Sequence, residues 1–422
     1  MRQLERTLGA PAVVAISLSA MLGSGLFVLP GLAAARTGSS VWLAYLLAGL
    51  CVLPAALSKC ELAAAMPRAG GSYIYLNRTF GPVYGTVAGL ALWLSLLLKS
   101  AFALLGFGTY LRALTPWPVL PTALVLLVCI TALNIFGVRK VGRAQVVVVA
   151  VTVTGLLVVA LLALGQSPVP QPSPPLAEGF VGLFAATAFV FVSYNGVTKV
   201  AAIAEEVRAP ERNLPRGMLL SLAIALTLYT LVALALVWRV PVAALAGDLR
   251  PIHSLAAATA GPVAAQVAAW LGIITMTSMA NAGLLAASRF PFAMSRDRLL
   301  PAFLQRTTAA QHAPMPAIVL TSAAMALAMV LSPIERLAKL ASAIILMTYI
   351  AENIALVILR ESRVRWYKPT YRSPAYPWVQ LLGVLTGSVL LANLGWTALA
   401  AALWVLAPGL LLYLLVGRRR CR

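Results

Sequence analysis

Long apolar stretches repeat along the chain, and short segments between them contain most of the charged residues. An α-helix needs about 20 consecutive apolar residues to cross the hydrocarbon core of a bilayer. The pattern therefore predicts an all-α integral membrane protein whose stretches form twelve transmembrane helices. We place these spans near residues 11–34, 41–64, 84–110, 120–137, 144–165, 179–203, 216–239, 264–288, 315–332, 337–359, 376–393 and 396–416.

Two of the predicted spans are interrupted by small and polar residues. Gly23, Ser24 and Gly25 interrupt the first span, and residues 193–196 (SYNG) interrupt the sixth. A backbone N–H or C=O without a partner is costly in hydrocarbon, so a broken helix is tolerated only where it is buried in protein or lines a cavity. Matched breaks in two halves of a membrane protein indicate a substrate site near the bilayer midplane.

The two breaks lie five spans apart, which predicts two copies of a five-helix unit. Because five is an odd number, the second copy would run through the membrane in the opposite direction to the first. We expect residues 1–165 to form the first repeat, residues 166–360 the second, and residues 361–422 two further helices with a basic tail. All of them would belong to one membrane domain.

Composition and charge support a membrane protein. The chain is 61% hydrophobic and 10% charged, whereas about a quarter of the residues of a soluble domain are charged. Its net charge is +21, but the basic residues lie in the short connections, so we expect no nucleic-acid partner. Lys and Arg accumulate before the first span and after every second span, which by the positive-inside rule places both termini in the cytoplasm. We expect a multi-pass protein of the cytoplasmic membrane, in contact with lipid.

Few residues suit catalysis or metal binding. The four cysteines follow no metal-binding or redox spacing, and the two histidines, His253 and His312, lie in predicted loops. Hydrolytic or metal chemistry inside the membrane would need clustered ligands or paired acids. We therefore expect no cofactor, no metal and no enzymatic activity.

Three segments carry a resemblance to a known family. The first is residues 23–27 (GSGLF) followed by Pro30 and Gly31, and the second is Glu61 with residues 66–73 (MPRAGGSY). The third is residues 205–216 (EEVRAPERNLPR), directly after the sixth span. In this order and at these places they resemble the amino acid-polyamine-organocation permeases over spans one to ten. The resemblance implies a LeuT-like inverted repeat and transport of amino acids or related amines by alternating access.

An amino acid would need one partner for its carboxylate and one for its ammonium, with little direct charge because full charges are costly in a membrane. The N–H groups of Ser24 and Gly25 would lie at the positive end of a half-helix and could hold the carboxylate. Carbonyls near Met21 and in residues 192–195 could receive the ammonium. Packing of small residues between helices is the alternative explanation of the glycines. The predicted substrate-binding residues are Met21, Gly23, Ser24, Gly25, Phe191, Val192, Ser193, Tyr194, Asn195 and Gly196.

The second break departs from the pattern of the family. The position of Val192 is often an aromatic gate there, so Phe189, Phe191 or Tyr194 would have to replace it. The position of Thr198 is acidic in some acid-resistance antiporters of the family, and its neutral side chain argues against that subgroup.

Ionisable residues within spans are candidates for ion pairing or coupling, because each would be costly against lipid. Lys199 and Glu352 lie at similar depth, counted at about 1.5 Å per residue, and are predicted to pair, either for packing or for coupling. Lys99 could exchange protons or bind backbone carbonyls. Glu61, with Lys59 and Arg68 nearby, is predicted to be an anchor at the cytoplasmic edge.

The coupling ion is open between proton, sodium and exchange without net coupling. Sodium-coupled proteins of the LeuT-like fold use hydroxyls of span eight, where this chain has Thr275, Thr277, Ser278 and Asn281. Helix hydroxyls also commonly bond to their own backbone. Some proton-coupled relatives have a lysine in span five, and residues 144–165 contain none.

The substrate class follows from the scarcity of acids. Glu352 and, marginally, Glu61 are the acids of the spans, so we expect a neutral L-amino acid. If Lys99 points into the cavity, an acidic substrate is also feasible. Transport or exchange of cationic amino acids or polyamines, and a non-transporting amino acid sensor with the same fold, are the alternatives.

Overall fold

The computed structural model describes residues 8–67, 71–136, 141–171, 174–296, 299–307, 314–396, 400 and 403. Helices dominate this part of the chain, which confirms the all-α expectation, and eight of them are long and apolar enough to cross a membrane. The described helices are α1 Ala10–Met21, α2 Ser24–Phe27, α3 Leu29–Thr37, α4 Val41–Ala65, α5 Ser72–Phe80, α6 Pro82–Leu111, α7 Val119–Phe136, α8 Val141–Leu164, α9 Gly179–Val190, α10 Pro210–Arg239, α11 Val242–Leu245, α12 Pro251–Arg296, α13 Met315–Leu331, α14 Ile334–Glu361 and α15 Trp378–Asn393. Two 3-10 segments lie at Phe191–Glu206 and Ala302–Gln305.

Most helices correspond to predicted spans. The spanning helices are α4, α6, α7, α8, α9 with the following 3-10 turns, α10, α12 and α14, while α13 and α15 are shorter apolar helices at the ninth and eleventh spans. The twelfth predicted span, residues 396–416, lies almost entirely outside the described residues. Pieces of helix also appear where loops were expected. They include α5, the short α11 and the first turns of α12, which are separated from its apolar part by non-helical dihedral angles at Ala260 and Gly261.

The first span is interrupted where the sequence predicts. Helix α1 ends at Met21, Leu22 is extended, and Gly23 has a φ of +152°, which residues with a side chain rarely adopt. The short helix α2 begins at Ser24, and a second irregularity at Val28 leads into α3. Leu22 and Gly23 therefore interrupt the helix between α1 and α2.

The sixth span changes helix type rather than opening into a loop. Helix α9 ends at Val190, three residues before the predicted interruption begins at Ser193, and the chain continues as a 3-10 helix over Phe191–Glu206. Long 3-10 runs are uncommon because their hydrogen-bond geometry is poorer, and within a helix they often mark a functional hinge. The side chains at 198–199, 202–203 and 205–206 are outside the described part of the structure.

The broken segments lie in the middle of the helix bundle. Helix α1 packs against α10 and the long 3-10 segment, and α6 packs against α12 and α14. Helix α7 is peripheral, since Val125, Val128 and Phe136 are exposed and few of its residues are buried. An apolar, outward-facing α7 is what contact with lipid requires.

Candidate functional site

The two interrupted segments touch each other through their backbones. A Cβ atom on Gly25 would lie 2.8 Å from the Cα atom of Ser193, and a Cβ atom on Gly196 would collide with the backbone of Ala20 and Met21. Only glycine allows such a close approach. The two predicted breaks are therefore in contact, because each contains a glycine against which the other break packs.

The predicted substrate-binding residues are buried together. Ser24, Val192, Ser193 and Tyr194 have no exposed surface, and Asn195 is 7% exposed. Met21 and Phe191 are also buried, as are the glycines at 23, 25 and 196. The residues of the candidate site therefore have almost no contact with solvent in this structure.

Carbonyl groups released by the first break accept hydrogen bonds from side chains. The Gly25 carbonyl accepts from the Tyr45 hydroxyl at 2.6 Å and from the Ser193 hydroxyl at 3.1 Å. The Phe27 carbonyl accepts from the Tyr110 hydroxyl at 2.7 Å. Three hydroxyls from three different elements thus donate hydrogen bonds to backbone carbonyls that would be costly to leave without a partner. Sequence reasoning missed Tyr45 and Tyr110, although a buried tyrosine usually bonds through its hydroxyl.

The two aromatic residues of the second break, Phe191 and Tyr194, pack against different helices. The Tyr194 hydroxyl donates to the Tyr45 carbonyl at 2.9 Å, and the ring of Tyr194 lies 5.1 Å from that of Tyr229. The ring of Phe191 lies 5.6 Å from that of Tyr349 in an edge-on arrangement. These two aromatic residues, which flank Val192 and Ser193, therefore attach the break to α4, α10 and α14.

Removing the Tyr45 hydroxyl should destabilise the closed site. The Tyr45→Phe variant deletes one of two hydrogen bonds to the Gly25 carbonyl, and we expect a loss of about 1 kcal/mol in the free energy of unfolding. Tyr229→Phe is the matched control, since the buried Tyr229 hydroxyl has no hydrogen-bond partner within the described residues. Thermal unfolding in detergent compares the two, and equal effects of both substitutions would contradict the assignment.

Lys99 of α6 reaches both breaks. Its ammonium donates to the Ala20 carbonyl and to the Val192 carbonyl, each at 3.0 Å, and the residue is 1% exposed. Among the predicted ionisable candidates whose side chains the structure describes, it is therefore the one that contacts the candidate site. These contacts agree with the alternative in which Lys99 binds backbone carbonyls. One of them is to the Val192 carbonyl, which was predicted to receive the substrate ammonium.

Met279 of α12 also faces the first break. Its sulfur lies 3.9 Å from the Ser24 hydroxyl, and any Cβ atom on Gly23 would collide with it. A flexible thioether fills irregular gaps, so this side chain closes the space opposite the glycine. Nothing in the sequence distinguishes Met279 from the other methionines of the apolar spans.

Comparison with known proteins decides the family. A family model described as amino acid permease matches residues 8–415. The chain belongs to the amino acid permease family. This membership confirms the resemblance carried by the three sequence segments, and it makes the protein a multi-pass membrane protein of a transporter family.

The permease is similar to transporters with different substrates in their names. The branched-chain amino acid permease BcaP of Bacillus subtilis is 28% identical, covering 100% of this chain and 95% of its own. The methylthioribose transporter of the same organism is 28% identical, covering 99% and 95%. The vacuolar cationic amino acid transporter 2 of Arabidopsis thaliana is 30% identical, covering 85% and 60%. At this similarity the relatives support amino acid transport without fixing the substrate of the permease.

Glu352 of the permease has a different partner from the predicted one. Its carboxylate lies 2.9 Å from the ammonium of Lys59 on α4, and both side chains are almost completely buried. The Lys59 ammonium also lies 5.2 Å from the centre of the Tyr349 ring. The Lys199 side chain lies outside the described part of the structure. Residue counts gave depth along the helix but not direction around it, so the lysine that α4 presents to Glu352 was not predicted.

Glu61 is an anchor, with partners other than those expected. It accepts hydrogen bonds from Arg360 at 2.8 Å, from the Tyr367 hydroxyl at 3.0 Å and from the Ser373 backbone N–H at 2.6 Å. Burial and the neighbouring carboxylate raise the pKa of Tyr367. Lys59 binds Glu352 instead, and Arg68 lies outside the described residues. The anchor joins the end of α4 to the end of α14 and the segment that follows.

One more contact joins the same two helices. The Ser58 hydroxyl donates to the side-chain oxygen of Asn353 at 2.7 Å, and both residues are buried. Together with Lys59–Glu352 and Glu61–Arg360, it forms what we call the α4–α14 ladder. Its three polar contacts all connect the C-terminal half of α4 to that of α14.

The four candidates for a cation site bond mainly to neighbouring helices or to their own helix. Thr275 and Thr277 donate to carbonyls one turn earlier in α12, at 2.6 and 2.7 Å. The Thr275 hydroxyl also lies 2.7 Å from that of Thr152, and Asn281 accepts from Asn134 at 2.6 Å. Ser278 is half-buried. The contacts of Thr277 and, in part, Thr275 correspond to the backbone-bonded alternative, whereas Asn281 bonds to a side chain of α7. The described residues contain no cluster of three or more metal-binding His, Cys, Asp or Glu side chains.

Proposed function

We propose that the permease is a secondary transporter that moves neutral L-amino acids across the cytoplasmic membrane by alternating access. The observation that carries the proposal is the contact between two interrupted helices in a buried centre. The start of α2 at Ser24 and Gly25 supplies N–H groups and a hydroxyl for the substrate carboxylate. Carbonyls at Met21 and in residues 192–195 supply acceptors for its ammonium.

The proposal includes twelve spans, a five-plus-five inverted repeat and cytoplasmic termini. Reciprocal packing supports the repeat, because Gly25 of one copy packs on Ser193 and Gly196 of the other packs on Met21. The ends of the two broken segments that we assign to the cytoplasmic side are also paired with each other. The Arg208 backbone N–H donates to the Leu8 carbonyl at 2.8 Å, on the side that we assign to the cytoplasm.

Contacts on both sides of the site would have to open in turn. On the proposed outer side, Glu335 at the start of α14 lies 2.7 Å from Lys339 and 3.5 Å from Arg36 at the end of α3. On the inner side, the Leu8–Arg208 contact closes the ends of the broken segments. Exposed ion pairs contribute little stability, so the Arg36–Glu335 contact can break at small cost.

The charges around the site favour a neutral substrate. An additional cationic group on the substrate needs an acidic partner, and the two acids buried in described spans already have one. Glu352 is bound by Lys59, and Glu61 is bound by Arg360. Breaking either pair would leave a buried charge uncompensated, at a cost of several kcal/mol. Transport of cationic amino acids, which the name of the Arabidopsis relative suggests, remains the second candidate.

Uptake by proteoliposomes tests the proposal. We expect labelled leucine to accumulate and to be displaced by other neutral L-amino acids. Ser24→Ala should weaken leucine binding by about tenfold, because a hydrogen bond to a charged group contributes roughly 1.5–3 kcal/mol. Ser17→Ala is the matched control, since this serine of α1 is buried and its hydroxyl has no hydrogen-bond partner within the described residues.

Three results would contradict the proposal. Preferential displacement by arginine or putrescine would assign the permease to cationic substrates. Leucine binding without flux would indicate a sensor. Equal effects of Ser24→Ala and Ser17→Ala would remove Ser24 from the carboxylate site.

A further inference from the structure

The Lys99 ammonium lies between the ends of two helices. Helix α1 ends at Met21, so the Ala20 carbonyl belongs to its last turn, and the Val192 carbonyl lies where α9 passes into the 3-10 segment. Carbonyls at a helix C-terminus lack intrahelical partners and carry partial negative charge. The Lys99 ammonium donates to such a terminal carbonyl at Ala20 and to the Val192 carbonyl of the 3-10 segment, at 3.0 Å in both cases.

The same ammonium is close to the predicted carboxylate position. Val192 directly precedes Ser193, and the Ser193 hydroxyl donates to the carbonyl of Gly25, the residue after Ser24. The lysine therefore places an ammonium group at the centre of the permease, four residues from Ser24 through the Ala20 contact and linked to the neighbouring Gly25 through Val192 and Ser193. The two buried glutamates of the described spans are each paired with another basic residue, Glu352 with Lys59 and Glu61 with Arg360.

We propose that Lys99 is a specificity-determining residue that selects substrates by charge. Its ammonium attracts the substrate carboxylate and repels any positive group beyond the α-ammonium, which binds the remaining carbonyls of the breaks. The inference rests on the proposed function, and it adds a physical reason for excluding cationic amino acids and polyamines. It also gives Lys99 a task other than the proton exchange considered from the sequence.

The expected size of the effect follows from Coulomb's law. A second positive charge brought within about 8 Å of Lys99 should weaken binding by at least roughly tenfold at the effective permittivity of a protein site. A neutral group of the same shape escapes this penalty. Pairs of amino acids that differ only in charge therefore isolate the effect of Lys99 from the effect of pocket size.

The experiment measures the affinities of citrulline and arginine, and of 2-aminoheptanoic acid and lysine, for the purified permease by displacement of labelled leucine. In the unsubstituted protein each neutral member should bind at least about tenfold more tightly than its cationic counterpart. Lys99→Met and Lys99→Gln should reduce that ratio by about tenfold. Lys99→Gln retains an amide N–H group for the backbone carbonyls, so it separates charge from hydrogen bonding if Lys99→Met does not fold. Lys99→Arg retains the charge and should retain the ratio.

A purely structural lysine would behave differently. Its loss would weaken neutral and cationic ligands by the same factor, and an unchanged ratio in Lys99→Gln would overturn the inference. A ratio near one in the unsubstituted protein would overturn it as well. If the unsubstituted permease binds no neutral amino acid, the proposed function fails, whereas neutral binding with an unchanged ratio contradicts only the role of Lys99.

Discussion

Glu352→Leu should destabilise the permease by about 3–5 kcal/mol, because it leaves the buried ammonium of Lys59 without a counter-charge. Lys59→Met should cost a similar amount, since it leaves the Glu352 carboxylate unpaired in the same apolar surroundings. Neither side chain can turn to solvent, as both are almost completely buried. Thermal unfolding in detergent, combined with the yield of monodisperse protein, measures the loss.

The double variant separates the pair from the packing around it. Replacing a buried ion pair by apolar residues of similar volume is often neutral or stabilising, so Lys59→Met with Glu352→Leu should recover most of the stability lost in each single variant. Glu335→Gln is the control, because it removes a partly exposed carboxylate and should cost at most about 1 kcal/mol. Additive losses in the double variant would show that the two residues do not act as a pair.

Gly196→Ala should abolish transport of leucine while leaving the permease in the membrane. The added Cβ atom would collide with the backbone of Ala20 and Met21, and backbone cannot move aside as a flexible side chain can. Overpacking of this kind costs about 1–3 kcal/mol, and here the strain falls on the contact between the two breaks. Leucine uptake by proteoliposomes measures the effect.

Gly25→Ala and Gly9→Ala complete this comparison. Gly25→Ala should resemble Gly196→Ala, since its Cβ atom would lie 2.8 Å from the Cα atom of Ser193. Gly9 precedes α1, and a Cβ atom there would make an ordinary contact of 3.8 Å with Pro11. Gly9→Ala should therefore transport normally. Normal transport by Gly196→Ala would mean that the breaks need not touch during the transport cycle.

The position of the first break could be predicted because glycine and serine within an apolar span are conspicuous. The sixth span was harder, since its helix changes type at Phe191 without any glycine or proline at that point. Apolar periodicity reports length and burial, and it gives no signal for a change from α to 3-10 hydrogen bonding. Similarly, α5 is short and its sequence is polar enough to be taken for a loop.

Contacts between helices are where prediction from the sequence reached its limit. Counting residues gave the depth of Glu352 in the membrane but not the side chain that faces it. Lys59 was therefore grouped with Glu61 at the cytoplasmic edge rather than with Glu352. Tyr45 and Tyr110 were overlooked because a tyrosine hydroxyl can bond to any freed carbonyl within reach. Lys99 was recognised as costly in a membrane, but its two carbonyl partners lie 79 and 93 residues away in sequence.

The α4–α14 ladder limits how the proposed cytoplasmic half of the permease can move. The two helices are joined by two ion pairs and a hydrogen bond, and we expect them to tilt together as a unit. Sliding one helix past the other would break all three contacts at once. Tyr367 and Ser373, which bind Glu61, should be carried along with them. If the permease alternates access as we propose, inward opening should occur along other helix contacts, such as that between α1 and α8, where among the described side chains Gln145 donates a hydrogen bond to Ser19.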